Sequence, residues 1–260
     1  MLKSLLSMIG VYRIYEKWLL NQVKGKPMPE HIAIILDGNR RWAQNHSMNP
    51  HKGHFYGADK TENVLRWCLD LGVKTITLYA FSTENFKRPP EEVKEIMSLF
   101  DEKLQKVLND DNIHKHQVRV KAIGRLNLLP ENLQELVKKV EDATKDYNSH
   151  FLNIAMAYGG RAEIVDAARE IAQKIISGTI LPNEIDEETF EKHLYTAHLP
   201  KQDPDLIIRT SGEERLSGFL LYQSAYSELC FLDVFWPEFR RIDLLRAIRI
   251  FQKRKRRFGT

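Results

Sequence analysis

The run HIAIILDGNRRWA, residues 31 to 43, drives five apolar or small residues into an aspartate, a glycine, an asparagine and two arginines. A lone aspartate after a strand can simply cap a helix, and an Asp-Gly pair often marks a turn. Here Gly38 allows close approach to the backbone, while Asn39, Arg40 and Arg41 add donors beside the acid. One carboxylate next to arginines suits a single Mg²⁺ bridging to phosphate oxygens, because Mg²⁺ takes few protein ligands. The expectation is that Asp37 carries a metal and that the turn behind it grips a diphosphate.

Three other stretches hold residues of the same chemical character. HKGHFYGADK sets His54 near the mouth of a helix, where backbone amides favour an anion, although a lone histidine is more often structural. FSTENFKRPP gathers Ser82, Thr83, Glu84 and Asn85 into a polar turn with Phe86 and Arg88, before a helix opened by Pro90 with Glu91 and Glu92 in its first turn. DLIIRTSGEERLSGF carries Arg209 at a strand end, then Arg215, Leu216 and Ser217 after a glycine-containing loop. Arginines so spaced can converge on phosphate oxygens through paired contacts, and an ion pair of Arg215 with Glu213 or Glu214 is the plainer alternative. Glu228 stands just before a further apolar run.

Such residues need a frame. HIAIIL, KTITLYAF, VRVKAI, FLNIAMAY, DLIIRT and LCFLDV read as strands, with helical patterns near 54–70, 90–108, 131–147, 160–177, 187–198 and 241–253. Apolar strands alternating with helices predict an α/β fold: one domain with a mainly parallel six-stranded sheet flanked by helices. Ligands bind at the carboxyl ends of strands in such sheets, which is where the residues above fall. The chain of 260 residues, 43% hydrophobic, can bury one large core, and no Pro/Gly/Ser-rich linker divides it. Cys68 and Cys230 lie in apolar stretches and read as buried thiols. No apolar run reaches the roughly 20 residues of a membrane span.

The two ends are distinctive. Leu2, Leu5, Leu6, Ile9 and Tyr12 recur at helical spacing, so residues 1–28 read as an amphipathic helical extension. It either docks on a membrane surface or packs on its own domain, the body of which spans 29–260. The tail from Arg240 holds nine Lys/Arg against one acid, Asp243, within a net charge of +4. Nucleic acid, anionic lipid or a phosphorylated substrate could each meet that charge, as could solvent alone.

Taken in order, HIAIILDGNRRWA, LYAFSTENFKRP, LNIAMAYGGR, IRTSGEERLSGFLLYQSAYSEL and FWPEF resemble the cis-prenyltransferases, the undecaprenyl and dehydrodolichyl diphosphate synthase family. The likeness runs from residue 29 to 260, and the paired arginines of DGNRRW with LRWCLDLG lean towards archaeal or eukaryotic members. The resemblance implies a Mg²⁺-dependent transferase; the buried thiols of a reduced compartment and the amphipathic first helix make the expected location cytoplasmic, with peripheral contact on a membrane as one reading. Such a transferase would condense isopentenyl diphosphate repeatedly with an allylic diphosphate such as farnesyl or geranylgeranyl diphosphate. Its product would be a long polycis-polyprenyl diphosphate, precursor of an undecaprenol- or dolichol-type glycosyl carrier lipid.

By the same resemblance, Asp37 is the essential acid on the metal, Asn85 acts near the proton-removal step, and Glu228 is a second Mg²⁺-associated acid. Gly38, Asn39, Arg40, Arg41, Trp42 and His54 match the phosphate-binding turn and its neighbours. Ser82, Thr83, Glu84, Phe86 and Arg88 match the polar turn over the reaction centre. Arg209, Arg215, Leu216 and Ser217 match the isopentenyl diphosphate pocket. Arg257 and Gly259 match a terminal R-x-G element that reaches substrate across a homodimer interface. Val93, Ile96, Met97, Phe100 and Leu104 form a stripe that is ordinary core or, by resemblance, tunnel lining. Phe86 replaces a frequent tryptophan, Gly218 a common asparagine, and Pro50 falls where bacterial relatives carry an arginine.

Rival readings are a non-catalytic partner subunit of the same fold, a nucleic-acid binder and an all-helical trans-type synthase. Retention of Asp37, Asn85, Arg88, Arg209 and Arg215 speaks against the first. The second rests on the tail alone, without a recognition motif. The third needs D-D-x-x-D pairs, and NDDNIHKH does not complete one.

Overall fold

Short runs of β-branched and aliphatic residues form six strands: β1 (His31–Ile35), β2 (Thr75–Tyr79), β3 (Val118–Ile123), β4 (His150–Ala155), β5 (Leu206–Arg209) and β6 (Glu228–Phe231). They make one sheet in the order β3-β4-β2-β1-β5-β6, and every pairing is parallel. The structure, a computed structural model, describes residues 11–254. Every residue of β1 and β2 is buried, as expected of strands covered on both faces. Along β1 the side chains alternate: Ile32 and Ile34 enter the larger core, Ala33 and Ile35 a smaller one behind the sheet.

The larger core is roofed by α1 (Val11–Val23), α3 (Lys52–Asp70), α4 (Pro90–Leu108), α6 (Glu131–Thr144) and α9 (Arg241–Lys253). Helix α7 (Gly160–Ile176) follows β4, and the short helices are α2 (Asn39–Asn45), α5 (Asp111–Lys115) and α8 (Glu187–Glu191). Register aligns Ile35 with Tyr79 and Arg209, Tyr79 with Ala155, and Arg209 with Phe231. The segments after these residues therefore share one rim. At the end of β1 the chain passes to β2 on one side and much later to β5 on the other, the kind of switch point where open α/β sheets hold ligands.

Several expected boundaries move, each for a local reason. The helix expected over 187–198 stops at Glu191, because the backbone N–H of Tyr195 is taken by the buried carboxylate of Glu163 at 2.9 Å. The strand expected through Tyr158 ends at Ala155, and Ala157 at φ 48° bends the chain before a single bridge from Tyr158 to Ser82. The turn expected after Asp37 is the start of α2. Gly38 stands at φ 99°, and a Cβ there would meet the Phe235 ring at 2.6 Å, so only glycine fits. Gly53 and Gly57 let α3 close on Asn39, where a Cβ would come within 2.0 and 2.3 Å of its atoms.

Helix α1 packs on α9. Leu19 and Val23 are buried, Arg246 and Arg249 stack on Tyr15 and Trp18, and Gln252 donates to the Val23 carbonyl at 3.1 Å. Its outer face leaves Val11, Ile14 and Trp18 exposed. Leu2, Leu5, Leu6 and Ile9 lie outside the described residues. Among the described residues, no helix is long and apolar enough to cross a membrane.

Candidate active site

Asp37 follows β1 by two residues and meets Arg209, the last residue of β5, at 2.8 Å. Arg209 is 5% exposed. Its Nη1 donates to Ser217 Oγ at 2.7 Å and to the Arg215 carbonyl, while its Nε has no partner among the described residues. Arg41, one turn into α2, reaches Asp37 at 3.4 Å, Glu213 at 3.4 Å and Ser211 Oγ at 2.6 Å. The Asp37 backbone N–H is bound by Thr210 Oγ1 at 3.1 Å. Burial alone would raise the Asp37 pKa, but the hydrogen bond and charge of Arg209, with Arg41, outweigh it and hold the carboxyl below its usual range.

Beside this pair stands a second cationic group. His54 Nε2 and Arg88 Nη1 reach the same oxygen of Glu92, at 3.1 and 3.0 Å, and Arg40 Nε lies 3.7 Å from it. Burial pushes the His54 pKa down, and the Glu92 contact opposes that only in part. Across the rim, Ser82 begins a one-turn helix (Thr83–Lys87) in which the Asn85 side-chain oxygen accepts the Ser82 N–H at 3.0 Å. With its oxygen so engaged, the amide offers its NH₂ to a ligand.

Asp37, Arg40, Arg41, His54, Ser82, Asn85, Arg88 and Arg209 border one cavity of about 1480 Å³, beyond the roughly 300–1,000 Å³ of ordinary small-molecule pockets. Its rim is Asp37–Arg41, His54, Ser82, Glu84, Asn85, Arg88, Arg209 and Ser217. Below, Leu65 and Leu69 of α3, Ile76 and Leu78 of β2, and Ile96, Phe100 and Leu104 of α4 give it apolar walls. It ends beside Lys74, Val118 and His150, where strands begin, so it runs the full depth of the sheet. Of the α4 stripe, Val93 and Met97 pack into the core instead of lining the cavity.

Not every expected residue joins the rim. Arg215 bends to Glu213, with 62% of its side chain exposed, and Leu216 packs on the rear core. Phe86 stands edge-on to Phe81 at 4.9 Å, Thr83 hydrogen-bonds Glu84, and Trp42 packs between His46 and Tyr56. Glu228 opens β6 opposite Leu206 and bonds Arg254. Asp37 lies beyond the other end of the strands, so the two acids are separated within one protomer by roughly five strand residues, on the order of 16 Å. Arg257 and Gly259 lie outside the described residues. Residue types alone did not single out Glu92, Thr210 or Ser211 for the site, and Glu213 was expected only as the ion-pair partner of Arg215, a pair the structure contains. Glu92 read as a helix-dipole acid, although its spacing of four from Arg88 was visible.

A parallel sheet with a cationic rim above a deep apolar tunnel defines a protein built to hold a charged head and a long hydrocarbon together. The family model described as "Putative undecaprenyl diphosphate synthase" matches residues 35–259. The chain is 56% identical over 250 residues to a tritrans,polycis-undecaprenyl-diphosphate synthase (geranylgeranyl-diphosphate specific) of Methanocaldococcus jannaschii, covering 96% of this chain and 89% of that one. It is 58% identical over 253 residues to the protein of the same name from Methanopyrus kandleri, covering 97% and 93%. Among solved structures, lavandulyl diphosphate synthase from Lavandula x intermedia, in complex with dimethylallyl diphosphate, superposes with a TM-score of 0.86 at 37% identity, covering 90% of this chain and 99% of that chain. A probable undecaprenyl diphosphate synthase from Campylobacter jejuni gives 0.72 at 32% identity, covering 90% and 100%. The chain belongs to the cis-prenyltransferase family, and it is a prenyltransferase.

Proposed function

We propose that the protein extends an allylic diphosphate by repeated condensation with isopentenyl diphosphate, each new double bond being cis. The observation that carries this reading is the rim of Asp37, Arg41, His54, Arg88 and Arg209 set directly over the apolar cavity. The allylic head would lie between Gly38–Arg41 and His54, its tail in the tunnel. Isopentenyl diphosphate would lie against Arg209 and Ser217, with Arg215 swinging in from Glu213. In each cycle the allylic C1–O bond breaks, its electrons leave with diphosphate, and C1 bonds the terminal alkene carbon. That leaves the positive charge on the branched carbon C3 of the isopentenyl unit, and loss of a proton from its C2 to an oxygen base, a released or bound diphosphate among them, forms the C2=C3 double bond. Guanidinium groups stabilise the charge that gathers on the leaving oxygens, and Asn85 orients the reacting groups through its NH₂.

Mg²⁺ fits the donor set. Asp37 is a single, partly exposed carboxylate beside phosphate-seeking arginines, and no group of three His/Cys/Asp/Glu that could hold a metal occurs among the described residues. That is the pattern of an ion held largely by water and substrate oxygens. When bound, Mg²⁺ neutralises developing diphosphate charge. The names of the two archaeal relatives support geranylgeranyl diphosphate as primer and a polycis-undecaprenyl diphosphate as product; service of that product as a carrier-lipid precursor is part of the same proposal. The protein would work in the cytoplasm as a homodimer, with Arg257, Gly259 and Glu228 acting at the partner's site, and with α1 resting on an anionic membrane.

Incubating the purified protein with Mg²⁺, labelled isopentenyl diphosphate and each of dimethylallyl, geranyl, farnesyl and geranylgeranyl diphosphate tests the reading. Chromatography should show long products, most abundant with geranylgeranyl diphosphate and abolished by chelation. Absence of extension with every primer would overturn it.

A further inference from the structure

Behind the rim lies a carboxylate to which no role has been given. Glu92 occupies the third position of α4 and is fully buried, yet it does not line the cavity. Four cationic or protonatable groups surround it: Arg88 at 3.0 Å, His54 at 3.1 Å, His51 at 3.6 Å and Arg40 at 3.7 Å. They arrive from separate segments, Arg40 from α2, His51 and His54 from the start of α3, and Arg88 from the turn before α4. Arg40, His54 and Arg88 all border the cavity.

A buried carboxylate with several cations around it is held by charge, and removing its charge leaves like charges facing one another. The three cavity-lining partners retain exposed surface, 47% of the Arg40 side chain, 27% of Arg88 and 15% of His54, so each still has area to offer a ligand. We propose that Glu92 is a positioning residue, the shared anchor that aims Arg40, His54 and Arg88 at the allylic diphosphate. Through Oε1 it fixes which His54 nitrogen turns inward, since Nε2 is committed to the carboxylate. This rests on the prenyl-transfer reading above.

Two effects of neutralising Glu92 oppose each other. Loss of a negative charge makes the whole rim more positive and would strengthen anion binding. Loss of the anchor lets Arg40 and Arg88 repel each other and swing into solvent, which weakens it. With partners at 3.0 to 3.7 Å in a buried site, local orientation outweighs the general field.

The test uses the full chain, wild type beside Glu92→Gln and Glu92→Asp, with labelled isopentenyl diphosphate and geranylgeranyl diphosphate as the varied substrates. Glu92→Gln should raise KM for the allylic diphosphate about tenfold or more while KM for isopentenyl diphosphate stays within about twofold. Glu92→Asp, which keeps the charge on a shorter arm, should recover most of the loss. A purely structural role would lower the active fraction, reducing kcat with both KM values unchanged, and that result overturns the proposal. An unchanged or lowered allylic KM does the same. Should the glutamine variant not fold, the aspartate variant decides: a small residual rise confined to the allylic KM supports the anchor, and equal changes in both KM values or a fall in kcat alone refute it. Wild-type protein without turnover would instead sink the functional reading.

Discussion

Asp37 and Arg209 come from positions 172 apart in sequence and form the 2.8 Å pair on which the rim is organised. Replacing Asp37 with asparagine keeps the shape and removes the charge; turnover should fall by about a thousandfold or more, as for loss of a group acting on the transition state. Arg209, nearly buried, would then lack its counter-charge, so the variant should also melt earlier by thermal denaturation. A normally active Asp37→Asn would refute its role. Because its carboxyl lies below the usual range, Asp37 stays ionised down to and below its ordinary value of 3.8. Its contribution to stability is therefore present above that value and is lost only as pH falls through the lowered pKa. Asp37 and Arg209 were legible in the sequence because each ends an apolar run, where a charge has no place in the core. Glu92 was not, because an acid at a helix start already has an ordinary explanation. Its partners Arg40, His54 and Arg88 become neighbours only once three segments have folded together.

The elements were legible for a similar reason. All six strand candidates appear, because buried parallel strands are short, continuous apolar runs; the strand expected through Tyr158 stops early where Ala157 turns to φ 48°, and the helix expected over 187–198 where Glu163 takes the Tyr195 N–H. Hidden in those runs is a polar line across the rear of the sheet. His31 of β1 meets Thr77 of β2 at 2.8 Å, Thr77 accepts from Asn153 of β4 at 3.0 Å, and Asn153 meets His198 at 2.8 Å. Burial pushes the pKa of His31 down to about 4 and that of His198 to about 3. Each histidine is held neutral in the fold but charges near 6.5 once unfolded. Stability is thus full above about pH 6.5 and declines as pH falls from there towards about 4, with His31 alone accounting for up to about 3 kcal/mol. Denaturant melts between pH 7 and 4 should show this decline, and His31→Asn should flatten it. An equal slope in both proteins would mean that the acid sensitivity lies elsewhere.

At the scale of the whole molecule, the function proposed above gives the sheet, tunnel and rim a product with one charged end and a long apolar body, and such a product would leave water for a bilayer. The outer face of α1 suits that destination. Ile14, Trp18 and Val11 are exposed at helical spacing, Arg13 and Lys17 lie exposed beside them, and Arg249 of α9 covers the Trp18 ring. Buried apolar area at roughly 25 cal/mol per Å² would add to about 1 kcal/mol for each basic residue near an anionic surface. On the proposed membrane contact, neither contribution would suffice alone, and together they would give reversible attachment. In flotation assays the full chain should rise with vesicles rich in anionic phospholipid, stay down with zwitterionic vesicles, and be released by high salt. Ile14→Glu, at a side chain 69% exposed and remote from the rim, should abolish flotation while detergent-supported turnover is unchanged. Protein that remains with the unbound fraction under anionic conditions, yet shows an Ile14-dependent change in sedimentation, would assign this face to a second copy of the chain and refute the membrane contact.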